Sequence, residues 1–315
     1  MEPIRISMFG ALRVQRHNLD LAGFEARKVQ ELLCYLLLHR AQAHNRERLA
    51  SLFWGNQTTA NSRKYLRQTL WQLQSALDKQ EAPGGPLLLA DDECIQVNPA
   101  AEMWLDVAVL EDAFVPVQQI PGAQLSEAQT ACLEDAVGVY QADLLEGWYL
   151  DWCIFERERL QSMYLGALDK LVSGCEARQD FGKGIVHASA ILRCDRARER
   201  TYRHMMRMHY FAGDRTQALR DYETCVAALQ DELSVDPARS TVALYEEIRD
   251  DHLNAAHLSG VPASQPAFTQ LQEAPREAAG LGELLHTLGS LQEGIKLLEG
   301  QVTNCMRAIE RTLGS

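Results

Sequence analysis

The sequence predicts a mainly α chain with a small β component near its N-terminus, and three observations carry that prediction. Period-two alternation occurs near the start, in Ile4-Arg5-Ile6-Ser7-Met8-Phe9-Gly10, and short apolar runs return around residues 87–97. From about residue 101 to 256 apolar residues recur almost continuously at helical spacing, and residues 281–315 fall into heptads. At 315 residues, with 46% hydrophobic and 23% charged, the chain is long enough for about two domains with cores of their own and too apolar to be disordered.

The elements follow in order. After the first alternating run, Leu12, Val14, Leu19 and Leu21 flank His17-Asn18, which suggests a small antiparallel sheet. Three helical patterns come next. Val29, Leu32, Leu33, Leu36 and Leu37 form the face of the first; Leu49, Leu52 and Phe53 that of the second, from about Arg46 to Trp54; and Leu66, Leu70, Leu73 and Leu77 that of the third, from about Thr59 to Asp78. Beyond the breaker Pro83-Gly84-Gly85-Pro86, Leu87-Leu88-Leu89 and Cys94-Ile95-Gln96-Val97 flank Ala90-Asp91-Asp92-Glu93 as a closing hairpin. A sheet, three helices and a hairpin over residues 1–100 make a winged helix.

The formal net charge of −12 argues at first against a polyanionic partner, but the charge is uneven: residues 1–100 carry +2 and residues 101–315 carry −14. With the third helix's leucines inward, a period of 3.6 places Lys64, Arg67, Gln68, Trp71 and Gln74 on its other side, with Asn61 and Arg63 at its start. Arg and Gln suit bidentate contact with base edges, and Lys neutralises phosphate. Arg46 and Arg48, opening the second helix, are assigned to phosphate contact.

The runs Ala26-Arg27-Lys28-Val29-Gln30-Glu31-Leu32-Leu33-Cys34-Tyr35-Leu36, Arg46-Glu47-Arg48-Leu49-Ala50-Ser51-Leu52-Phe53-Trp54 and Asn61-Ser62-Arg63-Lys64-Tyr65-Leu66-Arg67-Gln68-Thr69-Leu70 resemble the OmpR-type winged helix of SARP/AfsR-type bacterial transcriptional activators. The resemblance implies a third helix that reads the major groove of direct repeats at a promoter and a wing that approaches the minor groove. Carried onto this chain, the groove-facing residues are Arg63, Lys64, Arg67, Gln68, Trp71 and Gln74. The hairpin tip Asp91-Asp92-Glu93 departs from the family's small or glycine-containing turn, and three carboxylates repel a phosphate backbone, which argues against contact of the wing with DNA.

Residues 101–256 contain an echo at a 34-residue offset, which aligns Leu171 with Met205, Asp180 with Asp214, Ile185 with Leu219 and Leu192 with Val226. That offset is the tetratricopeptide period and predicts an α-solenoid of stacked helix pairs with a concave face for ligands. Tyr140 to Gly147, Arg157 to Leu160, Arg198 to Met206, Phe211 to Tyr222 and Leu229 to Pro237 are similar to the bacterial transcriptional activator domain that follows the winged helix in the same family. The resemblance implies that this domain holds dimers together, packs on the DNA-binding domain and helps engage RNA polymerase.

No catalytic constellation, metal site or cofactor is expected. His204 and His209 are five apart, off a common helix face. Gly182-Lys183-Gly184 lacks the spacing and the following Ser or Thr of a phosphate loop. Trp148, Tyr149, Trp152 and Phe155 read as inter-helix packing. The eight cysteines form no C-x-x-C pair and read as reduced core residues. Residues 257–280 read as a linker, and residues 281–315 as an amphipathic oligomerisation helix, a C-terminal coiled coil with Leu281, Leu288, Ile295, Val302 and Ile309 on one seam position and Leu284, Leu291 and Leu298 on the other. No stretch approaches 18 consecutive apolar residues and the start lacks the order of a signal peptide, so the expectation is a cytoplasmic protein without a membrane partner.

The expected function is that of a transcriptional activator that binds promoter repeats in double-stranded DNA as a homodimer or higher oligomer and recruits RNA polymerase, with an unidentified small-molecule effector among its partners. The alternative is a tetratricopeptide-type adaptor or small-molecule sensor whose winged helix serves protein contact.

Overall fold

The structure, a computed structural model, describes residues 3–77 and 85–253. The heptad positions Leu281, Leu284, Leu288, Leu291, Ile295, Leu298, Val302 and Ile309 lie outside the described residues, as do residues 257–280.

The N-terminal alternation folds as anticipated. Strands β1 (Ile4–Ser7), β2 (Arg13–Arg16) and β3 (Leu19–Asp20) form an antiparallel meander that buries Ile4, Ile6 and Val14 on one face. Leu19, read as apolar patterning, is 72% exposed because β3 is a two-residue edge strand with both side chains outside the core. Helices α1 (Arg27–Leu38), α2 (Arg46–Trp54) and α3 (Thr59–Leu77) follow. Within α2 the inward positions are Leu49, Ala50 and Phe53, and Leu52 is 47% exposed, so the small Ala50 takes the core position expected of Leu52. The wing, β5 (Leu88–Ala90) and β6 (Cys94–Val97), is extended by β4 (His44–Asn45), which leads directly into α2.

Strand β7 (Met103–Leu105) adds in parallel to β1, with Ile4, Arg5 and Ile6 opposite Met103, Trp104 and Leu105. It runs straight into α4 (Asp106–Phe114). Asp106, 2% exposed, ties the ends of β1 and β7 together: its Oδ2 accepts the N–H groups of Met8 (2.6 Å) and Phe9 (2.8 Å), and its Oδ1 that of Val107 (2.8 Å).

Helices α5 (Glu127–Val139), α6 (Asp151–Arg178), α7 (Phe181–Cys194), α8 (Glu199–Phe211), α9 (Arg215–Leu233) and α10 (Arg239–Arg249) complete the described residues. The 34-residue echo has a local cause. Asp180 and Asp214 are the N-caps of α7 and α9, accepting from the N–H groups of Lys183 and Gln217, so each marks the turn of a helix pair, α6–α7 and α8–α9. Gly184 is a packing position rather than part of a phosphate loop, because a Cβ there would collide with Sδ of Met208 on α8.

Buried charge organises the same repeats. Glu176, 5% exposed on α6, takes His204 and Arg207 of α8, and Asp221 of α9 takes His209 at 2.6 Å, so both histidines serve inter-helix pairs. Burial pushes the Glu176 carboxyl up, but hydrogen bonds from His204 and Arg207 outweigh it and hold the group below the usual carboxylate range. Its contribution to stability is therefore complete above the unfolded value of about 4.3 and is lost as pH falls through the lower folded value. Glu176→Gln is expected to cost about 2 kcal/mol at neutral pH and much less in acid. Urea melts of both proteins at pH 7 and pH 3 check this, and a penalty independent of pH would exclude it.

Among the described residues the main apolar core spans the N-terminal elements and the first helices after them, and three smaller clusters lie in the later helices. The main cluster runs from Ile6 of β1 through Leu36 of α1 and Leu73 of α3 to Leu144, Trp148, Cys153 and Leu160. Cys34, Cys153, Cys175 and Cys225 are buried as expected, whereas Cys132 and Cys194 are exposed; all seven described cysteines are free. No helix among the described residues is long and apolar enough to cross a membrane.

Candidate nucleic-acid interface

Helix α3 divides cleanly into two faces. Leu66, Thr69, Leu70, Leu73, Ala76 and Leu77 are buried, and Asn61, Arg63, Lys64, Arg67, Gln68 and Trp71 are exposed. Gln74 is half-buried at the margin of the outer face. The start of α3 is held to α2 by the Ser62 hydroxyl, which donates to the carbonyl of Trp54 at 2.9 Å, and Thr58 Oγ1 accepts the Asn61 N–H at 3.4 Å. The cations differ in commitment. Arg63 pairs with Glu47 of α2, an exposed ion pair of small energetic weight. Lys64 and Arg67 have no partner among the described residues. Trp71 is 67% exposed.

The two arginines assigned to phosphate contact also separate. Arg46 is half-buried, its guanidinium donates to the Asp91 carbonyl at 2.7 Å and its N–H to the Glu93 carbonyl at 2.9 Å, so it anchors the wing turn to α2. Arg48 is exposed; its N–H donates to Asn45 Oδ1 at 3.3 Å, and its guanidinium has no partner among the described residues. The acidic wing tip is organised rather than simply repulsive. Asp91 Oδ1 accepts the N–H groups of Glu93 (2.8 Å) and Cys94 (2.7 Å), and these bonds hold its carboxyl below the usual range. Its residue type thus serves the turn, while Asp92 and Glu93 remain exposed.

The aromatic group read as helix packing splits in two. Trp148 is buried, with the Arg27 guanidinium 3.6 Å over its ring, and Trp152 meets Tyr35 and Phe53 edge-on at 5.6 and 6.5 Å. Tyr149 and Phe155 are 82% and 70% exposed and take no part in that packing. The contacts of Trp148 and Trp152 fasten α1 and α2 to the turn before α6 and to the start of α6. A second fastening is ionic: Glu111 of α4 binds Arg40 after α1 and Arg159 of α6, both at 2.6 Å. A third is main-chain. Leu145 N–H donates to the Met8 carbonyl, Gly10 N–H to that of Asp143 and Glu146 N–H to that of Gly10, so residues 143–146 extend the exit of β1. The elements that present α3 are therefore rigidly seated on α4 and α6, a constraint that no local pattern in residues 59–78 signals.

Among the described residues no group of three His, Cys, Asp or Glu side chains is arranged to hold a metal ion.

Comparison with known proteins agrees with this architecture. Residues 105–249 match the family model described as the bacterial transcriptional activator domain. The structure of Mycobacterium tuberculosis EmbR in complex with a low affinity phosphopeptide is similar at a TM-score of 0.63 and 16% sequence identity, over 81% of this chain and 67% of that one. No curated protein matches the sequence. Residues 105–249 thus carry a bacterial transcriptional activator domain, and it follows a winged helix on a fold similar to that of EmbR.

Proposed function

We propose that the chain binds promoter DNA through the outer face of α3, acts as a dimer or higher oligomer on direct repeats, and recruits RNA polymerase from there. The observation that carries this reading is the pair Lys64 and Arg67. In a chain of net charge −12 these two cations stand unpaired among the described residues, beside the exposed Gln68 and Trp71. Arg67 and Gln68 are the candidates for base edges, Lys64 and Arg48 for phosphates, and Asn61 and Arg63 for the groove margin. Arg46 contributes indirectly by fixing the wing. An acidic body repels DNA away from α3, so affinity comes from linking two weak readers at tandem sites, through the activator domain or the seam from Leu281 to Ile309.

Lys64→Ala with Arg67→Ala is expected to weaken binding to the chain's own upstream duplex by about 10- to 100-fold and to reduce the slope of log affinity against log salt by about 1–2. Gel shifts across a salt series measure both. An unchanged affinity and slope would remove α3 from the interface.

A further inference from the structure

The outer face of the N-terminal sheet carries a second unpaired cationic pair. Residues directly opposite across β1, β2 and β7 share a face, and the register sets Arg5 against Gln15 and Trp104, and Ser7 against Arg13. Arg5, Ser7, Arg13, Gln15 and Trp104 therefore stand together on the side away from Ile4, Ile6 and Val14. Residues 138–142, the last residues of α5 and the turn after it, wall this face into a groove of about 680 Å³.

Three features of the groove point to an anion. The Arg5 guanidinium lies over the Trp104 ring at 3.7 Å, which holds it at the groove without using its N–H donors. Neither the Arg5 nor the Arg13 guanidinium has an ion-pair or hydrogen-bond partner among the described residues, although the chain carries 43 acidic side chains against 31 basic ones. The lining contains one carboxylate, Asp106, which is 2% exposed and already accepts three backbone N–H groups; it attracts Arg5 through space but forms no ion pair or hydrogen bond with either arginine. At the rim, Asp20 is occupied by the Gln15 amide at 2.9 Å.

Spacing narrows the class of anion. Arg5 and Arg13 are diagonal neighbours across β1 and β2, with backbones about 7–8 Å apart, and each side chain is long enough to close inward. Two guanidinium forks approaching from that separation suit two adjacent anionic groups better than a single carboxylate. The lining residues Ser7 and Gln15 add neutral hydrogen-bonding groups between and beside them. We propose that this groove binds a diphosphate group, gripped by Arg5 and Arg13, either as the free anion or as part of an organic ester. Because the walls come from both the N-terminal sheet and residues 138–142, occupancy would strengthen the seating of the one on the other by mass action. This site is independent of the assignment of α3.

The test is calorimetric titration of the full chain with inorganic pyrophosphate and, separately, with ADP. Saturable binding to one site is expected, weakened at least about tenfold by Arg5→Gln with Arg13→Gln, without loss of the thermal transition. Tighter binding of ADP than of pyrophosphate identifies an organic ester as the natural ligand class, and equal or weaker binding identifies the diphosphate alone. Operator affinity should be unchanged in the double variant. Absence of saturable pyrophosphate binding at millimolar concentrations, or an affinity the double variant leaves intact, overturns the proposal. Should the double variant instead lose operator affinity with a reduced salt slope while still binding pyrophosphate, the pair serves the DNA backbone and the proposal also falls.

Discussion

Asp106→Ala is expected to lower the free energy of unfolding by about 2–5 kcal/mol, a large share of what a domain of this size possesses. Among the described residues the carboxylate is the side chain that receives the N–H groups of both Met8 and Phe9, and it also receives that of Val107. Alanine leaves those donors buried without acceptors, and each orphaned donor costs about 1–3 kcal/mol. Asparagine retains one carbonyl oxygen, and Asp106→Asn is expected to cost about 1–2 kcal/mol. Burial pushes the Asp106 carboxyl up, against the pull of its three N–H donors and Arg5. The folded group thus keeps its proton to a higher pH than the unfolded one, and its contribution to stability falls as pH rises from about 3.9 through the folded value. Asp106→Asn should remove that decline. Urea denaturation of the three proteins between pH 3 and pH 7 measures both effects. A loss in Asp106→Ala below that of Asp106→Asn would show that the acceptors are not what matters.

Arg157→Ala is expected to cost about 2–4 kcal/mol and to loosen the winged helix from α6. The Arg157 guanidinium donates to three carbonyls of one turn: Nε to Leu144 (3.0 Å), and Nη2 to Leu145 (3.1 Å) and Trp148 (2.9 Å). That turn places Leu145 in the left-handed region at φ 47, a conformation which a branched apolar residue adopts only when its surroundings impose it. The same turn donates to the Met8 and Gly10 carbonyls and carries Trp148 under Arg27. Arg157→Lys should recover little, because one ammonium cannot span carbonyls that a planar fork reaches together. Hydrogen exchange at Leu145 and Glu146, compared with that at Ile6 inside β1, reads the local effect. Exchange accelerated equally at all three sites would indicate global destabilisation instead.

The seating has a consequence for the proposed DNA contact. Because β7 completes the N-terminal sheet and then opens α4, the orientation of α3 is coupled to the activator domain through packed secondary structure. Two readers linked through their activator domains would thus hold their third helices at a defined separation, which is what recognition of repeats at fixed spacing requires.

Local pattern was enough for much of this protein. The leucines of α1 and α3 recur with the helical period, and burial of that stripe is what makes those segments helical, so Lys64, Arg67, Gln68 and Trp71 were legible as an outer face before any coordinates. Asp180 and Asp214 were legible as repeat marks for the same reason, since an N-cap acts within three residues of itself. Several features were not legible. Leu52 follows the apolar pattern yet is exposed, and Arg46 carries the right charge for phosphate yet binds the wing. The parallel pairing of β7 with β1, the acceptor role of Asp106 for residues nearly a hundred positions away, and the joining of Arg5 and Arg13 into one groove depend on register between distant segments. Periodicity in a sequence reports which side of an element is apolar, because burial of that side stabilises it locally. It carries no record of which other element covers that side, and the charges brought together by such packing were decided by the tertiary structure alone.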